Sequence, residues 1–152
     1  MEKICGINCD SVSQHIDWIY KEGVWGNYGK FATTAGFSVT EETSDLLFSF
    51  TNNQTITYLL SENSIAVNAG DILFIDGITF VSSSSGRFVF GYTGTYPEML
   101  NYPDTFFTSA ACPKCRAVAV IRNDSIKIRI GYYNNFSFRA TRIGIIRNAF
   151  SQ

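Results

Sequence analysis

The chain has 152 residues, a net charge of −1 and 16% charged against 45% hydrophobic residues, including thirteen Phe, eight Tyr and two Trp. That balance excludes a disordered chain, and no apolar run approaches the ~20 residues of a membrane-spanning helix. A chain of this length makes one domain, 1–152, with a sizeable core; the shortage of Lys and Glu beside so many aromatics favours strands and turns.

The start, MEKICGINCDSVSQ, has no apolar stretch of the signal-peptide kind, so synthesis and folding in the cytosol are expected. Residues 11–22, SVSQHIDWIYKE, fit two patterns. Val12, Ile16, Ile19 and Tyr20 share a helical face that Gly23 ends, whereas Ile16, Trp18 and Tyr20 share one face of a strand. The reading adopted is a short helix or irregular segment within 1–35, packed on the rest of the domain.

From residue 36 the pattern is β. Strands are expected at 36–40, 45–51, 54–60, 64–67, 71–75, 78–82 and 86–93, then at 116–122, 125–133, 136–140 and 142–147. Asp76-Gly77 reads as a two-residue hairpin turn, which needs positive φ at both positions. Residues 94–111, with Pro97 and Pro103, read as a long connection. Short strands at this spacing predict an all-β fold, an antiparallel two-sheet β-sandwich, jelly-roll-like in strand count.

Chemistry is sparse. His15 is the only histidine, nothing around it resembles a nucleophile motif, and no phosphate or calcium loop is present, so the chain reads as a non-enzyme. The sequons at Asn53, Asn123 and Asn135 coincide with expected turns and read as turn chemistry.

The four cysteines form two close pairs, Cys5 with Cys9 and Cys112 with Cys115. Cys112-Pro113-Lys114-Cys115 resembles the knuckle of zinc-ribbon and rubredoxin-like sites. The other pair has three intervening residues and Arg116 replaces the usual glycine. The resemblance implies a structural zinc held by Cys5, Cys9, Cys112 and Cys115, stapling the N-terminal segment to the 94–115 loop. His15 is a substitute ligand. Free buried thiols, disulfides and a redox dithiol are the rival readings.

Charge is divided along the chain. Residues 1–109 hold four Lys/Arg against twelve Asp/Glu, and residues 110–152 hold eight against one. In SIKIRI, Lys127 and Arg129 alternate with Ile126, Ile128 and Ile130, giving one basic and one apolar face. Arg116, Arg122, Arg139, Arg142 and Arg147 extend this basic set. It meets an acidic protein surface, meets nucleic-acid phosphates, or neutralises the acidic strands of its own chain.

In general style the chain resembles the small β-sandwich structural proteins of tailed-phage virions. That resemblance implies a non-enzymatic, homo-oligomeric component of a larger assembly, such as a capsid decoration, head-fibre or tail protein. The alternatives are a carbohydrate- or receptor-binding module and a nucleic-acid-binding module using the basic C-terminal strands. Trp18, Trp25 or tyrosines exposed beside a groove favour the carbohydrate alternative, and their burial counts against it.

Overall fold

The computed structural model describes residues 3–4, 7–8, 15–32, 36–51, 56–83, 87–95, 97–103, 115–133 and 136–147. Every regular element among them is a strand, and all strand pairs are antiparallel. The architecture is a two-sheet β-sandwich, as the alternation predicts.

The smaller sheet runs in the order β11 (Glu98–Pro103), β10 (Arg87–Thr93), β13 (Ser125–Tyr133), β7 (Ile56–Leu60), with β8 (Ile65–Ala66) beside β7 on β13. The larger is organised around β9 (Ile72–Ser83). On one side of β9 lies β12 (Cys115–Val120). On the other, β14 (Phe136–Ala140) pairs with its second half and β15 (Arg142–Arg147) with its first. Beyond β14 come β6 (Leu46–Phe50) and β5 (Phe37–Glu41); beyond β15 come β3 (His15–Lys21) and β4 (Val24–Trp25). Two short strands, β1 (Lys3–Ile4) and β2 (Ile7–Asn8), pair with each other.

The inner faces supply the core. Ile126, Ile128 and Ile130 of β13 and Phe90 and Tyr92 of β10 meet Leu73, Ile75, Ile143, Ile145, Phe48 and Phe138 of the larger sheet, each at most 1% exposed. Phe48 and Phe138 stack at 4.8 Å with nearly parallel rings. Burial of this area drives folding at roughly 25 cal/mol per Å² of apolar surface. The alternation in SIKIRI is realised: its isoleucines are buried while Lys127 and Arg129 lie on the outer face.

Three expectations are corrected. Residues His15–Lys21 are a strand, because β15 offers a full ladder of backbone partners; Ile16 and Trp18 share its outer face, while Tyr20 turns inward with Ile143. An extra residue is accommodated by a bulge where Ile143 faces Tyr20 but Gly144 faces Trp18, so that both Ile19 and Tyr20 are buried.

Asp76-Gly77 is not a hairpin turn. β9 runs through it, and only Gly77 has positive φ, at +66°. It marks a bend where Thr141, between β14 and β15, donates its amide to the Asp76 carbonyl at 3.1 Å. A Cβ on Gly77 would stand 2.0 Å from the Thr141 Oγ1, so glycine is required. The two-residue turn with positive φ at both positions is Glu22-Gly23 (+48° and +95°), joining β3 to β4.

The long connection contains β11, a strand at the edge of the smaller sheet. Pro103, paired with Arg87, is its last residue, and the end of an edge strand is where a sheet tolerates proline.

Candidate ligand-binding surface

β3 positions the first tryptophan. Ile143 and Ile145 of β15 point into the core, so Gly144 between them faces outward, and its partner Trp18 faces outward with it. On the neighbouring strand Phe74 does the same between Leu73 and Ile75. Trp18 and Phe74 meet edge to face at 5.7 Å across Gly144. A Cβ there would come within 2.9 Å of the Phe74 ring and 3.2 Å of the indole, so the glycine lets the two rings lie down on the sheet. Ile16, Ile72 and Ile146 continue this outer face, and Val118 and Val120 of β12 end it at 40% and 44% exposed.

The tight Glu22-Gly23 turn places the second tryptophan nearby. Trp25 stands opposite Tyr20, leaning on it edge to face at 5.1 Å and on Phe31 at 6.3 Å. Its Nε1–H donates to Glu41 at 2.8 Å. Trp18, Lys21, Glu22, Val24, Trp25 and Gly26 line an open pocket of about 410 Å³, within the range of small-ligand sites. Both indoles are partly exposed.

Each indole carries a lysine. The Lys21 ammonium is 4.9 Å from the Trp18 ring centre and the Lys30 ammonium 5.5 Å from that of Trp25. Lys30 also bonds Glu41 at 2.8 Å, and hydrogen bonds from Lys30 and Trp25 hold the Glu41 carboxyl below its ordinary range. Glu22 accepts from Arg142 Nε at 3.0 Å, and that bond and charge lower its carboxyl likewise. The surface thus combines two indoles with fixed donors and acceptors, a set suited to a ligand with flat apolar faces and a polar rim.

The arginines and lysines singled out by the charge pattern are spread over the molecule. Arg139 binds Glu42 through Nε at 2.7 Å and Nη2 at 3.3 Å. Arg142 binds Glu22 at the pocket, and Arg147 binds Asp17 and Asp71 at one end of the sandwich. These three join C-terminal bases to N-terminal acids, the geometry of the self-neutralisation reading. Arg129 lies 4.7 Å over the Tyr58 ring on the outer face of the smaller sheet, where Lys127 also lies. The Arg122 amide donates to the Tyr92 hydroxyl at 3.2 Å, and Arg122 lines a second pocket with Asn68, Thr95 and Asp124. Arg116 is in β12 opposite the bend in β9, and its side chain lies outside the described residues.

Cys5, Cys9 and Cys112 also lie outside the described residues; Cys115 begins β12, paired with Ile78. His15 is exposed, with its Nε2 3.1 Å from the Asp17 carboxylate. Lys21 and Glu22 were not singled out in the sequence, and Glu41 read there as a solvated turn residue beside Glu42. The signal available was the pair of aromatics Tyr20 and Trp25 set symmetrically about Glu22-Gly23, a hairpin pattern that brings Trp18 and Trp25 to one edge.

No family profile matches the chain, and no curated protein matches it. Among solved structures, two of a family 29 carbohydrate-binding module superpose on it, one a variant complexed with cellulohexaose and the other a second variant. Both have a TM-score of 0.53 and 9% sequence identity over 90% of this chain, covering 94% and 88% of theirs. The similarity is one of fold.

Proposed function

We propose that the chain is a non-catalytic carbohydrate-binding β-sandwich whose ligand lies on the Trp18–Trp25 surface. The observation that carries this reading is the pair of partly exposed indoles lining one open pocket with Lys21 and Glu22. Sugar rings present apolar C–H faces and polar hydroxyl edges. An indole takes the former, while Glu22, Glu41 and the lysines take the latter. The fold shared with carbohydrate-binding modules, one of them holding cellulohexaose, supports the same assignment. Affinity electrophoresis against a panel of soluble polysaccharides, followed by calorimetry with the matching oligosaccharide, tests it. Trp18→Ala is expected to weaken binding about tenfold, from ~1.4 kcal/mol of lost stacking and burial. Absence of retardation by every polysaccharide, or an unchanged affinity of Trp18→Ala, overturns it.

A second reading is self-assembly, in which a second copy covers the apolar outer face of the larger sheet. Val118 and Val120, beside Ile16, Ile72 and Ile146, favour it, because contiguous exposed apolar area marks interaction sites. Native mass spectrometry distinguishes the readings: a dimer dissociated by Val118→Asp supports assembly, and a monomer at micromolar concentration removes it.

A further inference from the structure

The two lysine–tryptophan pairs differ in one respect. Lys30 is neutralised by Glu41, and the neighbouring Glu22 is already engaged by Arg142. Lys21 lies between these pairs on the rim of the pocket, exposed, with its ammonium over Trp18 and no carboxylate within ion-pair distance among the described residues. Glu22, the carboxylate that lines the pocket, is therefore occupied by Arg142, while the Lys21 ammonium keeps its donors for a ligand. Asp76, across from Arg142 in the adjoining strand, is the next acid along this face.

We infer that the pocket takes an acidic glycan, with a uronate or sulfate group of the sugar bound by Lys21 beside the ring stacked on Trp18. This rests on the carbohydrate-binding reading and assigns its substrate class. A sugar ring stacking on Trp18 displaces the Lys21 ammonium from the indole face, and an anionic substituent at the edge of that ring receives the displaced ammonium in a charge-assisted hydrogen bond. A neutral glycan displaces the same lysine and offers it only hydroxyls.

The experiment compares a uronate polymer, the same polymer with its carboxylates reduced to alcohols, and neutral glucans, by affinity electrophoresis at two salt concentrations. The uronate polymer is expected to bind most tightly, to weaken as salt rises, and to lose about fivefold in affinity upon Lys21→Gln. Lys21→Arg should retain binding, since it preserves the charge and the reach. The carboxyl-reduced polymer should bind wild type and Lys21→Gln alike. Equal binding of the acidic and reduced polymers, or indifference to Lys21→Gln, overturns the inference and leaves carbohydrate binding standing. Binding confined to neutral glucans does the same. Binding to no polymer overturns both.

Discussion

Nη1 of Arg147, the last residue of β15, lies 3.2 Å from the carboxylate of Asp71, which stands just before β9 and is fully buried. The same guanidinium reaches Asp17 of β3 through Nε at 2.6 Å and the Ala66 carbonyl at 2.8 Å. The Asn68 amide donates to Asp71 at 2.9 Å. One arginine thus ties together β3, β8 and the start of β9 at one end of the sandwich. Removing it leaves a buried carboxylate without its counter-charge. Arg147→Met is expected to destabilise the fold by about 3 kcal/mol, read from urea unfolding. A loss within ~0.5 kcal/mol would show that the pair contributes little.

Acid should weaken the same network. Burial pushes the Asp17 carboxyl up, but hydrogen bonds from Arg147 and Tyr28, the Arg147 charge and the His15 contact outweigh it and set the group below its ordinary value. Glu42 is lowered by its hydrogen bonds with Arg139, and Glu22 by those with Arg142. A carboxyl lowered in the folded state contributes stability above its unfolded pKa, and loses it as pH falls through the folded value. The melting temperature should therefore hold near neutrality and decline from about pH 4 to about pH 2. A flat profile over that window would contradict the pairing.

Gly77→Ala adds a methyl that meets Thr141 at a backbone φ of +66°. Left-handed backbone costs a non-glycine residue about 1–2 kcal/mol before the clash is counted. Gly77→Ala should destabilise by at least ~2 kcal/mol, and adding Thr141→Ala, which removes the Oγ1 that the new methyl meets, should recover part of that loss. Chemical denaturation of the single and double variants checks this.

The two indoles should separate on substitution. Trp25 packs against Tyr20 and Phe31 and bonds Glu41, so Trp25→Ala is expected to cost about 3 kcal/mol as well as ligand affinity. Trp18 lies on the outer face against Phe74, and Trp18→Ala should keep more of the fold while losing binding. Equal destabilisation by both would place Trp18 among the supports of the core.

Gly144→Ala probes the same face. Its Cβ would press on both Trp18 and Phe74, and the Trp18 ring has solvent on one side into which to move. The expected result is a shift in tryptophan emission and weaker glycan binding, with a stability loss of about 1 kcal/mol. Unchanged emission and unchanged affinity would detach Gly144 from the surface.

The sequence by itself determined the class of fold and most of its strands. Alternation in SIKIRI, DLLFSF and RIGIIR records which side chains are buried, and burial is what a period of two encodes. It also marked the two tryptophans as the residues whose exposure decides between readings, while the basic C-terminal half stayed open to a protein partner, nucleic acid or the chain's own acids. Tertiary structure decided what local pattern leaves degenerate. His15–Lys21 satisfies a helix or a strand equally until β15 supplies its hydrogen-bond partners. Asp76-Gly77 has the composition of a turn, yet Thr141 between β14 and β15 pins it as a bend within β9, while Glu22-Gly23 makes the true turn. That turn, not any motif, folds the chain back so that Trp18 and Lys21 on the outer face and Trp25 on the core side of the hairpin line one open pocket, because neighbours on a site are set by strand pairing and not by distance along the chain.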